Sequence, residues 1–324
     1  MTFDYELKLR RALKHLNDLD SEVVAWLRGD HHTVRYEYDP QAKWDGPVPP
    51  GPAEHGTARY FLADSLFIPG HGPGTPPPSA QFGQGVLTAY ATAENPPTDP
   101  LSLLIGDVVH NLRSALDSLA FALATAFTTP LPEKFARTSE FPIFGDEDGQ
   151  GRAGTGRAQF NRRDGQGRPA RGSGLAKIQG WHPSAQAAVE QLQPYQRGLD
   201  FRADPLWVVH ELDRLDKHRL LHTVVAGFAG SLWDIQNFRN VRAIGPGFIE
   251  SMGGALHTET PIGRICGLHP IDPKAEMHVK IRPALHVVFS PQTTVAGRAG
   301  VVETLRALYF HIDGSVVQAL LPFL

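Results

Sequence analysis

Apolar side chains recur every third or fourth position at Tyr5, Leu9, Leu13, Leu16, Val23, Val24 and Leu27, so residues 3–28 are expected to form an amphipathic helix that stops near Gly29. The period then falls to two. Val34, Tyr36 and Tyr38 alternate with Arg35, Glu37 and Asp39, the pattern of a strand with one wet face, and residues 86–93 are its expected partner. Pro and Gly crowd residues 46–52 and 69–79, which read as loops. A second long helix is expected over 101–127, with Asp99 capping its free amides and Pro100 at its first position, where no N–H is needed. Pro183 opens a short helix to 193, and Asp204 with Pro205 repeats the capping chemistry for a helix reaching about residue 227. Met277, Val279 and Ile281 mark a later strand, and Val301, Leu305, Leu308, Ile312, Val316 and Leu320 mark the last helix. The expected fold class is α+β: a helical core of four long helices plus one short one, an early strand pair, and a small antiparallel sheet before the C-terminal helix.

Composition narrows this picture. With 324 residues, 41% of them hydrophobic and 20% charged, the chain has the make-up of a folded protein and is expected to form a single unit over 1–324. Residues 145–174 stand apart: nine glycines and six arginines with almost no aliphatic side chains point to a flexible insertion. A net charge of -3 argues against generic nucleic-acid or anionic-membrane binding, and no apolar run approaches a membrane span. The lone Cys266 excludes an intrachain disulfide and a multi-thiolate zinc site, and residues 1–16 lack the apolar stretch of a secretory signal. A reducing, cytoplasmic setting is expected, and the excess of Arg over Lys with abundant Ala, Gly and Pro suggests a bacterial source.

The charges on two helices carry the candidate chemistry. Opposite the apolar stripe of helix 101–127 stand Asp107, His110, Arg113 and Asp117, and Phe121 then continues the same polar stripe, so that stripe is expected to run into the protein. Arg113 reaches Asp117 one turn on. The helix from Pro205 is apolar on every side yet carries His210, Glu211, Asp213, Arg214, Asp216, Lys217, His218, Arg219 and His222. Buried charges require partners, so the two strings are expected to face each other, with Arg113 and Asp117 meeting Asp216, His218 or Arg219. Such a network either fixes helix register or serves as an acid, base and cation converging at an active site, with Asp107, His110, Arg113, Asp117, Glu211, Asp216, His218 and Arg219 as the candidate residues.

His218 and His222, one turn apart, are the metal-ligand candidates, but no predicted helix offers the Glu-x-x-His pair of a dimetal bundle. HELDR at 210–214 begins like a zinc-protease motif and then has Arg214 where the second histidine belongs. Cys266 beside His269 reads as a packing cysteine rather than a nucleophile. No phosphate-binding glycine loop is present, so nucleotide-dependent chemistry has no support in the sequence.

The strings IGDVVHNLRSALDSL (105–119), FPIF (141–144), LQPYQ (192–196) and ELDRLDKHRLL (211–221) together resemble a family of uncharacterised bacterial proteins with no assigned activity. The resemblance implies that these strings act as one unit and carries no function with it. The helix-rich layout is also similar to HEPN-type ribonucleases, which pair an Arg with a His a few residues on. Arg10 with His15 and Arg306 with His311 have that spacing, although such partners lie about 140° apart on an ideal helix. Three functional classes follow: a structural or interaction protein, an enzyme using the His/Asp/Arg network by acid–base or metal-assisted chemistry, and a HEPN-like ribonuclease. Partner and cofactor stay unspecified, and a homo-oligomer is compatible with all three.

Overall fold

The computed structural model describes residues 3–29, 31–42, 59–61, 85–93, 96, 98–147, 154–217, 224–239, 241–251, 254–255, 259–270, 276–290, 293, 295–297 and 299–324. The apolar period at the start of the chain becomes α1 (Asp4–Leu27), along which Tyr5, Leu9, Ala12, Leu16, Leu19 and Val23 are buried. The period-2 segment becomes β1 (His32–Asp39), and a short β2 (Arg59–Phe61) precedes β3 (Val86–Ala93). As expected, β1 and β3 pair antiparallel, with Val34 opposite Ala91 and Tyr36 opposite Ala89. They are not an isolated pair, because β3 also bonds to a later strand.

The second long helix is α2 (Thr98–Phe127), so Asp99 and Pro100 lie within its first turn. Leu101, Ile105, Val108, Leu112, Leu116 and Leu119 are fully buried along it. Four short helices follow: α3 (Glu133–Ala136), α4 (Gly156–Phe160), α5 (Gly174–Lys177) and α6 (Pro183–Gln191), with a 3-10 segment over Pro194–Ala203. Then comes α7 (Pro205–Lys217), where Asp204 behaves as the sequence predicts: its carboxylate accepts from Leu206 N–H at 2.9 Å and its carbonyl from Val208 N–H at 2.9 Å.

This helix is shorter than expected. Described as helix to Lys217, the chain is already in β4 (Val224–Arg239) where the reading to residue 227 has it helical. A short apolar run reads the same in a buried helix or strand, and Val224 and Val225 favour the extended form through their branched side chains. Strand pairing decides it, with Gly227 opposite Ala255 and Phe228 opposite Gly254. The remaining strands are β5 (Val241–Ser251), β6 (Gly254–Ala255), β7 (Thr260–Pro270) and β8 (Glu276–Phe289). They complete a five-stranded sheet in the order β1-β3-β7-β5-β2 and a three-stranded sheet in the order β6-β4-β8. The chain ends in α8 (Val301–His311), a π-helical turn (Ile312–Val317), α9 (Gln318–Leu320) and a 3-10 turn (Leu321–Phe323).

The single unit expected from composition is two. One, rich in helix, comprises Met1–Val24, Pro97–Val224 and Phe289–Leu324; the other, rich in strand, comprises Ala25–Pro96 and Val225–Val288. Each is discontinuous in sequence. No helix among the described residues is long and apolar enough to cross a membrane.

The described part of the expected insertion, residues 145–147 and 154–174, also departs from expectation. Phe160, at 0% exposure, packs edge-on against Phe144 and Tyr195, with ring centroids 5.7 and 6.1 Å away. Arg163 and Pro169 form an antiparallel bridge, and Asp164 takes Gln166 and Arg168 N–H groups into a tight turn. One phenylalanine and buried glycine backbone supply the core that aliphatic composition does not show.

Candidate functional site

The α2 string LRSALD is organised around a single extended segment, FPIF. Arg113 is 4% exposed despite its charge. Its Nη2 lies 3.0 Å from Asp117 Oδ1 one turn along the helix, and it donates to Glu140 Oε1 at 2.8 Å and to the Phe141 carbonyl at 3.0 Å. Asp117 Oδ1 in turn accepts the Phe141 N–H at 3.0 Å. Both backbone groups of Phe141 are therefore satisfied by one Arg/Asp pair, as a neighbouring strand would satisfy them. The Phe141 ring is fully buried and lies against Trp181, with centroids 6.5 Å apart.

Gln193 does the same for the end of the segment. Its Nε2 donates to the Pro142 carbonyl at 2.9 Å, and its Oε1 accepts the Phe144 N–H at 3.1 Å. The Tyr195 N–H donates to the Phe144 carbonyl at 3.1 Å. Three of the strings singled out in the sequence thus meet: HNLRSALD and LQPYQ both terminate on the backbone of FPIF.

The fourth string meets α2 elsewhere. The expected pairing of Arg113 and Asp117 with Asp216 does not form, because Glu140 and the Phe141 carbonyl take up the guanidinium instead. The two helices do pack together, through other residues. His110 Nδ1 lies 4.0 Å from Asp213 Oδ1, and the Asp216 carboxylate sits so close to Gly106 that a Cβ there would fall 2.7 Å from Oδ1. Asp213, itself buried, holds Lys217 Nζ at 2.6 Å through its other oxygen. Glu211 pairs with Arg214 of its own helix at 2.7 Å, and the exposed Asp107 lies 4.0 Å from His15 Nδ1 of α1. His218, Arg219 and His222 lie outside the described residues.

Sequence reasoning passed over Glu140 and Lys177, and did not select His210 or Asp213. Lys177 Nζ reaches Glu140 Oε1 at 3.1 Å, which closes the group around Arg113. No local signal marks either residue, since one lies in a connecting segment and the other at the end of a one-turn helix. The electrostatics divide these groups. Burial pushes the Glu140 carboxyl up, but Lys177, Arg113 and His210 together outweigh it and hold it below the ordinary range. For Asp117 burial wins over the Arg113 charge and the Phe141 N–H, and its carboxyl is raised. Burial and then the Arg113 charge hold the His210 imidazole below the usual histidine range, against the pull of Glu211 and Asp213.

Two polar atoms in this region are buried without a hydrogen-bond partner, Arg113 Nη1 and Asp213 Oδ1. Among the described residues no group of three or more His, Cys, Asp or Glu is placed to hold a metal ion. The two Arg/His pairs of the ribonuclease analogy take separate partners. Arg306 bonds to Asp20 at 2.9 Å, and His311 is depressed by burial and Arg197 while Asp204 opposes. His15 stands beside Asp107 and accepts from Arg11 Nε at 3.5 Å, not from Arg10. No family model, curated protein or solved structure matches the chain.

Proposed function

We propose that the charge network on α2 is a structural clasp, and that the protein works by binding rather than by catalysis at that network. The observation that carries this reading is the use of Arg113 and Asp117 to satisfy both backbone groups of Phe141. An acid–base site needs polar atoms free to meet a substrate. Here the Asp117 oxygen and the Arg113 Nη2 are spent on the protein's own chain, and Gln193, which has no acid–base capacity, performs the same task two residues along.

The clasp and the catalytic reading separate on stability. Asp117→Ala and Gln193→Ala each leave a buried backbone group of FPIF without its partner, so each is expected to lower unfolding free energy by about 1–3 kcal/mol in a denaturant titration. Residues held for catalysis commonly tolerate or even gain stability on replacement. A loss under about 0.5 kcal/mol for both variants, within the ordinary scatter of surface substitutions, would refute the clasp.

A second reading rests on a separate observation, the buried and unpartnered Asp213 Oδ1 facing His110 Nδ1 at 4.0 Å. A carboxylate behind an imidazole is the arrangement that orients a proton carrier. Should an activity be found, loss in His110→Gln with folding intact is the expected sign that this pair serves it.

A further inference from the structure

The arginines that follow α3 fall into two groups. Arg197 is neutralised by Asp204 at 2.6 Å, Arg202 by Glu147 at 2.7 Å and Arg168 by Asp164 at 2.9 Å. Arg157, Arg162, Arg163 and Arg171 are exposed and, among the described residues, have no carboxylate within 4.0 Å. Three of them bond to uncharged oxygens instead: Arg157 donates to Gln196 Oε1 at 3.1 Å, Arg162 to the Arg171 carbonyl at 2.8 Å and Arg163 to the Gly167 carbonyl at 2.9 Å. The nearby acids are already engaged. Asp146 accepts the Gly156 N–H at 3.3 Å, Asp164 accepts the Gln166 and Arg168 N–H groups, and Glu190 accepts the Asn161 amide and the Tyr195 hydroxyl. Residues 154–174 hold five arginines and one acid, a net of +4 in a chain whose total is -3.

These charges stand on a fixed support. Phe160 anchors the segment in the core, and Asn161 Nδ2 ties it to Glu190 of α6 at 3.0 Å. The Ala170 N–H donates to the Arg162 carbonyl at 2.9 Å, and Arg163 bridges to Pro169, so residues 162–170 form a hairpin. Fully buried Ser173 closes its far end by capping α5 through the Ala176 N–H at 3.2 Å. Like charges held this close repel one another, which disfavours the free protein and favours an anionic partner. Because the hairpin is already ordered, binding loses little chain entropy.

We infer that this arginine hairpin is a docking surface for the phosphate backbone of a double-stranded nucleic acid. The guanidinium fork matches a phosphate with two parallel hydrogen bonds, and a duplex presents roughly one negative charge per 1.7 Å of its length. Residues 161–173 include no apolar side chain beyond Pro169 and Ala170. Nothing there can stack on an unpaired base, as single-strand binding requires, or insert into a lipid surface. Contacts confined to phosphates position a duplex without reading its sequence. The net charge of -3 gives the molecule as a whole no such attraction, so the affinity belongs to the hairpin. None of its arginines takes part in the clasp, and the inference stands apart from that reading.

The test is fluorescence anisotropy of the full-length chain with labelled 20-base-pair duplex DNA, duplex RNA of the same length and a 20-nucleotide oligothymidine, with phosphatidylserine vesicles in a sedimentation assay. Saturable binding of at least one duplex is expected at 50 mM salt, and whichever duplex binds tighter names the backbone preferred. Four neutralised phosphates imply roughly a hundredfold loss of affinity for duplex DNA between 50 and 200 mM salt. Combined Arg162→Gln, Arg163→Gln and Arg171→Gln should weaken duplex binding at least about tenfold and flatten the salt slope by roughly one per arginine. The same three positions changed to Lys keep the charge but not the hydrogen bonds that arginine makes within the hairpin, and should stay within about threefold of the native chain. Arg10→Gln, an exposed change on α1, should leave affinity within about twofold. No saturable duplex binding, unchanged affinity in the triple Gln variant, an equal loss in the triple Lys variant or in Arg10→Gln, or tighter binding of oligothymidine or vesicles than of either duplex would each overturn the assignment.

Discussion

A guanidinium almost wholly withdrawn from water has to be met by oxygens, and at Arg113 three supply them: Asp117, Glu140 and the Phe141 carbonyl. Arg113→Ala removes the donor to that carbonyl and leaves a void, so it is expected to cost about 3–5 kcal/mol, more than Asp117→Ala, whose carboxylate is 39% exposed. Asp216 is not part of this group. It sits beside Gly106, eleven residues and roughly 16 Å along the helix from Asp117. Asp117→Ala and Asp216→Ala are accordingly expected to add within about 0.5 kcal/mol in denaturant titration; a larger coupling would restore the direct pairing that the sequence suggested. His210 makes a pH prediction. Its folded-state pKa is depressed, so below the unfolded value of about 6.5 the unfolded chain binds more protons and stability falls as pH falls. Urea midpoints between about pH 7 and 5 should decline toward acid, and less steeply in His210→Gln. His311, depressed in the same direction, should preserve part of the slope.

At the scale of elements, the segment 145–174 shows how composition can mislead. Two of its glycines are not spacers: a Cβ on Gly156 would fall 2.2 Å from the Gly145 carbonyl oxygen, and one on Gly174 would fall 2.2 Å from the Phe160 ring. The backbone approaches so closely that only glycine fits. Phe160→Ala is expected to cost about 3–5 kcal/mol, as for other buried aromatic truncations, and Gly156→Ala to be destabilising because backbone has to move. Thermal unfolding checks both. Removal of residues 155–173 should likewise weaken the helical unit, whereas a freely flexible insertion would leave the melting temperature unchanged. The π-helical turn carries a similar lesson, since Ile312, Val316 and Leu320 are buried and continue the apolar stripe predicted for a regular helix. Periodicity locates the buried face; it does not register one extra residue in a turn.

For the whole molecule, the helical unit is assembled from three separate stretches of chain. Its last stretch brings Val301, Leu305, Leu308 and Ile312, all buried, from the far end of the sequence. A chain ending at residue 288 is therefore expected to lose cooperative unfolding of this unit, since removing several core side chains at once exceeds the 5–15 kcal/mol that stabilises a typical domain. Circular dichroism and calorimetry would show it, and a sharp native-like transition in that truncation would mean that the N-terminal and central stretches suffice by themselves.

What the sequence determined by itself is whatever depends on near neighbours. The apolar period set α1, α2 and α8, alternation set β1 and the start of β8, and the Asp204–Pro205 capping chemistry set the start of α7, because each rests on groups a few residues apart. The inward run expected of the α2 polar stripe holds only at Arg113, since Asp107, His110 and Phe121 all face solvent. What Arg113 turns toward was not legible. Glu140, Lys177 and the backbone of FPIF reach Arg113 and Asp117 only through the path of the intervening chain, and no period or spacing encodes that path. The end of α7 and the strand at Val224 belong to the same class, since a short apolar run becomes strand when a partner strand is beside it. So does the half-open pocket between α1 and the C-terminal turns: Tyr5 and Asp313 stand more than three hundred positions apart, and only tertiary packing brings them together.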